Sequence, residues 1–177
     1  MRRILPMVAI CLVVGFVDIA AAQETNVTKQ VDALLGGIEY VPKASEWTAL
    51  GPEAAQVLVT IASATQERPS RRARAISALA YFPTPQTRTF LETLASDLTL
   101  KTVLRRKALR ALSHAYQGEA LAFVQGFIAV EDKHLREAAV KSLADIDTPE
   151  ARLILEERRK VETAAFVRET IEKSLRR

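Results

Sequence analysis

Four times in this chain an arginine stands seven residues before a leucine: Arg72 and Leu79, Arg105 and Leu112, Arg136 and Leu143, Arg168 and Leu175. The leucines are 33, 31 and 32 residues apart. A period in the thirties is the mark of a stacked array, in which each unit is one supersecondary element that cannot bury its apolar side alone. Apolar residues precede the first three leucines by four and three positions, Ala75-Ile76, Ala108-Leu109 and Ala139-Val140, whereas in the last copy Ile171 keeps the first place and Glu172 takes the second. Spacings of three, four and seven place them on one helical stripe. Alanines on that stripe let a neighbouring helix come close.

A second set of helix starts alternates with the first, at Pro52, Pro85, Gly118 and Pro149. Proline suits the first turn of a helix, where its missing N–H would have no partner. Thr84 and Thr148 precede two of these prolines, at the N-cap position. Apolar pairs follow at Val57-Leu58, Phe90-Leu91, Phe123-Val124 and Ile154-Leu155, then Ile61, Leu94, Phe127 and, breaking the pattern, Arg158. That break is expected of a last repeat with no neighbour to cover it. The chain therefore reads as all-α, an α-solenoid of about four stacked helix pairs: 53–66 with 71–82, 86–97 with 103–115, 119–130 with 134–145, and 150–160 with 165–176.

The rest of the chain divides in two. Met1-Arg2-Arg3, the apolar run from Ile4 to Val17 and Ala20-Ala21-Ala22 have the layout of a secretory signal peptide over 1–22. The apolar run is too short to span a bilayer. This predicts an exported protein, periplasmic in a bacterium, without a stable membrane span once the leader is cut. Cys11 is the only cysteine and lies inside that leader, so the exported chain would hold no disulfide or thiolate site. Residues 23–51 read as an N-terminal capping segment. It has a short helix over Thr28–Leu35, stopped by Gly36-Gly37, and a turn or two from Ser45 as N-cap. Tyr40 and Trp47 are expected to cover the open end of residues 52–177, the repeat domain, in preference to anchoring a partner.

Charge separates along the chain. Residues 23–70 hold 3 Lys/Arg and 6 Asp/Glu, whereas residues 71–177 hold 20 and 14. Positions two and five before each leucine point away from the packed stripe. They hold Ser77, Arg110, Lys141 and Lys173, and Arg74, Lys107, Ala138 and Thr170. If the second helices line a groove, Arg74, Lys107, Arg110, Lys141 and Lys173 form a positive column suited to an acidic segment of another protein. His114 and His134 lie in different repeats, and no metal-ligand spacing joins them. The sequence has no glycine-rich phosphate loop or nucleophile elbow. Acid pairs such as Glu131-Asp132 and Asp145/Asp147 fall at helix ends, where solvated charge is expected. No catalytic residue, cofactor or metal site is assigned, and export argues against nucleic acid as the partner. A monomer or weak oligomer is expected.

The repeats resemble HEAT repeats of the short bacterial type, as in HEAT-like phycobilin lyases. The resemblance rests on an acidic turn followed by an arginine that opens an alanine-rich helix: Asp97 before Leu104-Arg105, Asp132 before Leu135-Arg136, and Phe166-Val167-Arg168. It covers about residues 52–177. It implies a ladder between repeats, with Asp97 paired to Arg105, Asp132 to Arg136, and Glu67 to Arg72. It also implies a protein-binding scaffold. A HEAT-like lyase or a ligand- or chromophore-handling protein is the alternative that the same resemblance implies.

Overall fold

The computed structural model describes residues 26–37 and 40–177. The expected leader and Cys11 lie outside them. The described residues are helices and turns, without a strand. Helix α1 covers 26–36, and α2 is a short helix at Ala44–Thr48. Four pairs follow. The first helices are α3 (Glu53–Ser63), α5 (Pro85–Ser96), α7 (Leu121–Gln125) and α9 (Pro149–Val161). The second helices are α4 (Pro69–Ala78, continued by a 3-10 turn), α6 (Thr102–Tyr116), α8 (Lys133–Ile146) and α10 (Ala165–Leu175).

Local chemistry sets most of these starts. Thr84 Oγ1 accepts the N–H of Thr87 at 3.1 Å, and Thr148 Oγ1 accepts that of Ala151 at 3.2 Å. Each caps a helix whose first residue is proline, as the spacing predicts. The short α2 opens two residues before the expected site. Glu46, not Ser45, provides the cap, because its Oε2 reaches back to the N–H of Lys43 at 2.7 Å. Asp132 caps α8 by accepting the N–H groups of His134 and Leu135 at 2.8 and 3.3 Å.

The third first helix departs from the expected 119–130. A 3-10 turn at Gln117–Ala120 leads into the five-residue α7, and turns follow. No proline or threonine cap opens it. Gln117 has φ +46 and Gly126 stops the helix early. Val124 and Phe127 remain buried all the same, so the stripe is kept although the helix is not.

The second helices touch in order, α4 to α6 to α8 to α10, while α3, α5 and α9 pack against their own partners. Leu79, Leu112 and Leu143 are fully buried between these layers, with Ile76, Leu109, Val140 and Ile171. Leu58, Leu91, Val124 and Leu155 meet them from the first helices. Burying such a side chain gives about 1.5–3 kcal/mol. The stripe read from the period is therefore the core of the array. At the N-terminal end the core includes Val31, Leu35 and Trp47. Trp47 is buried, whereas Tyr40 is 47% exposed and donates its O–H to Glu46.

Candidate partner-binding face

The residues at −2 of the leucines line one side of the second helices. Arg110, Lys141 and Lys173 share a depression between α6, α8 and α10 with Phe166. A smaller one adjoins it between α6 and α8, where Lys107 and Arg106 join Arg110 and Lys141. The structure thus brings four of the five predicted cations to one continuous face. Ala138, at −5 in the third copy, is buried.

Arg74 does not belong to this face. Its Nη2 donates to the carbonyls of Gly37 and Tyr40, at 3.2 Å for the latter. That arginine holds the N-terminal segment against the first repeat. A position count on one helix could not reveal it, because the acceptors lie more than thirty residues earlier.

Most of the cations have acids against them. Arg110 pairs with Asp145 at 2.6 Å, Lys141 with Glu137 at 2.6 Å and Lys173 with Glu169 at 2.7 Å. Arg106 reaches the same Glu137 from the neighbouring helix at 2.9 Å. Asp145 is therefore a paired acid, not merely a solvated one. Lys107 is exposed and makes no ion pair with a described residue. The face is a mesh of both signs in which bases outnumber acids. Exposed pairs of this kind add little stability, typically under 1 kcal/mol. His114 meets Tyr81 edge-on, with ring centroids 5.8 Å apart, and takes no part in the face.

The expected ladder is corrected in its register. No ion pair joins Asp97 to Arg105 or Asp132 to Arg136. Asp97 is held by Thr99, whose hydroxyl donates to it at 2.7 Å. Those bonds, the hydroxyl's first, lower the Asp97 pKa. The arginines instead cap the ends of first helices, as Arg72 Nε donates to Ala62 O at 2.8 Å and Arg105 Nε to Ala95 O at 3.0 Å. Asp132 turns to the preceding repeat and accepts from Thr102 Oγ1 at 2.8 Å. Arg136 turns to the following one, where it forks onto Glu162 with two bonds of 2.9 Å. Asp132 thus faces the helix of the previous pair, while the arginine of its own pair is occupied by carbonyls and by Glu162.

Glu162 gives no signal in the sequence. It is 2% exposed. Arg136 and Arg158 both bond its carboxylate, Arg158 at 2.7 and 2.9 Å, and the Ala164 N–H adds a bond of 2.9 Å. Arg168 donates to its carbonyl at 2.8 Å. Burial on its own would raise the carboxyl pKa. The bonds from Arg136, Ala164 and Arg158 outweigh that and bring it down to about 2. Arg158, read as a solvent-facing break in the pattern, is mostly buried in this cluster.

Residues 99–176 match the family model described as HEAT repeats. This part of the chain is a HEAT-repeat array. The same architecture continues upstream in α3 to α5. A subunit in the complex of CpcE and CpcF of phycocyanin lyase from Nostoc sp. PCC7120 has the same fold, with a TM-score of 0.57 at 16% identity over 85% of this chain and 98% of that one. An engineered protein aligns with a TM-score of 0.48 at 17% identity, over 88% of this chain and 72% of that one. No curated protein sequence matches the chain. The all-α solenoid reading of the sequence is thereby established.

Proposed function

We propose that this chain is an exported, non-catalytic HEAT-repeat adaptor that holds an acidic segment of another protein on the side of its second helices. The observation that carries this is the continuous face of Lys107, Arg110, Lys141 and Lys173 across three successive repeats. A segment lying along α6, α8 and α10 would meet a base on each helix. Its own carboxylates would compete with Glu137, Asp145 and Glu169 for them. Lys107, without an acid of its own, is the first point of contact. Charge on such a face speeds encounter and selects the partner more than it tightens the complex. The second helices touch one another in order, α4 to α6 to α8 to α10, which gives such a segment a continuous row to lie along. The fold neighbour from Nostoc is found in a complex of two proteins, which accords with a protein partner. Export rests on the leader-like residues 1–22.

A fluorescent glutamate-rich peptide provides the test. K107E/K141E/K173E should weaken its binding roughly tenfold or more, and added salt should weaken the parent in the same way. Equal binding by the two chains at low salt would remove this face from the proposal.

A further inference from the structure

We infer that the acidic segment held by the second helices is an extended polyproline II stretch with a carboxylate at every third residue. This rests on the reading of that face given above, and adds the conformation and spacing of its occupant.

The spacing comes from the helices themselves. Lys141 and Lys173 each bond the glutamate four residues before them, Glu137 at 2.6 Å and Glu169 at 2.7 Å. Their ammonium groups therefore sit at the same place on α8 and α10, and repeat with the step between those helices. Arg110 has the matching position on α6 and reaches across to Asp145 of α8 at 2.6 Å. α6 packs on α8 and α8 on α10, which sets the step at roughly 8–10 Å. A polyproline II chain has three residues per turn and rises about 3.1 Å per residue, so its side chains at i, i+3 and i+6 point the same way about 9.3 Å apart. A β-strand of similar rise turns residues three apart to opposite sides.

A helix also repeats a face at about this step, every seven residues or about 10.5 Å. It docks through an apolar stripe, however, and the two hollows crossed here offer only separated apolar residues, such as Phe166 and Val103, among charged ones. A helix also spends its carbonyls on itself. Arg110 lines both hollows and keeps its Nη1 buried without an acceptor among the described residues. The unbonded carbonyls of a polyproline II backbone are acceptors of the kind it lacks. The first repeat shows the same chemistry within the chain. Arg74, at the position that Lys107 holds in the second repeat, donates to the carbonyls of Gly37 and Tyr40. Those two residues are three apart and belong to no helix.

Three capped fluorescent peptides with three glutamates each test the inference by anisotropy at low salt. One is Glu-Pro-Pro-Glu-Pro-Pro-Glu. The second has the same composition with its glutamates contiguous, and the third is an alanine-rich helix with glutamate at every seventh residue. The contiguous block spans about 6 Å and cannot meet three helices at once. The spaced peptide should bind roughly fivefold tighter than either of the others, the effect of one or two exposed ion pairs. K173M, at an exposed position, should weaken it, and should have no further effect once one of its two terminal glutamates is changed to glutamine. Equal or tighter binding of the block overturns the spacing and leaves the basic face standing. Tighter binding of the helical peptide overturns the conformation. A K173M loss that persists whichever terminal glutamate is changed overturns the register. Binding by none of the three overturns the reading of the face itself, and the inference with it.

Discussion

The third repeat and the other three place the same arginine at the same distance from the same leucine, and use it differently. Arg72, Arg105 and Arg168 each spend their Nε–H on a carbonyl at the end of the preceding first helix. Arg136 does this with one nitrogen, donating to Val130 and Glu131, and uses the others to fork onto Glu162. What differs is the neighbour on the C-terminal side. Only the last turn offers a buried carboxylate within reach. The repeated function of the arginine is thus to terminate a helix, and ion pairing is added where the next repeat permits it. The identity of a repeated residue predicts its place in the fold better than it predicts its partner.

Three measurements bear on this contrast. The largest effect is expected at the C-terminal cluster. Glu162→Gln leaves Arg136 and Arg158 without their counter-charge in a buried setting, which costs about 3–5 kcal/mol. Urea unfolding should show this as a lower midpoint. A loss below about 1 kcal/mol would mean that the cluster is no more than a set of surface pairs.

The pH dependence follows from the same group. Glu162 titrates at about 2 in the folded chain and from a reference value of 4.5. Its folded pKa is depressed, so its contribution is complete above pH 4.5 and disappears as pH falls through 2. That contribution is on the order of 3 kcal/mol. The stability gap between the parent chain and Glu162→Gln should therefore be constant near neutral pH and close progressively over that acid range. A gap that does not change with pH would rule out the carboxylate as its source. The smallest effect is expected at Arg105→Met. It removes a bond to one carbonyl and should cost about 1–2 kcal/mol, with far less acid dependence than Glu162→Gln. A loss equal to that of Glu162→Gln would erase the distinction between the third repeat and the others.

These differences also mark what could be read in advance. The helix pairs follow from the spacing of Leu79, Leu112, Leu143 and Leu175, because an apolar stripe has one way to be buried in a stack. The threonine–proline starts at 84 and 148 are chemistry within four residues, so they too were legible. The shortening of α7 was not, although Gly118 and Gly126 stand at its two ends, since an isolated glycine is tolerated in many helices. Lys107, Arg110, Lys141 and Lys173 were placed on one face by helical geometry alone. Arg74 satisfied the same rule but was taken up by the carbonyls of Gly37 and Tyr40. Glu162 is one acid among many in the sequence. Its role depends on Arg136, 26 residues away, and on a distance set only by the stacking of α8 on α10.

An array whose units touch only their neighbours frays from its ends, and the two ends of this one are closed by different forces. Trp47 closes the first by taking an indole out of water, a contribution that acid leaves unchanged. The last is closed by a carboxylate gripped by guanidinium groups. Opening it means separating charges as well as exposing apolar surface. Acid between pH 4.5 and 2 weakens the second closure by protonating that carboxylate, whereas the buried indole has no charge for acid to remove.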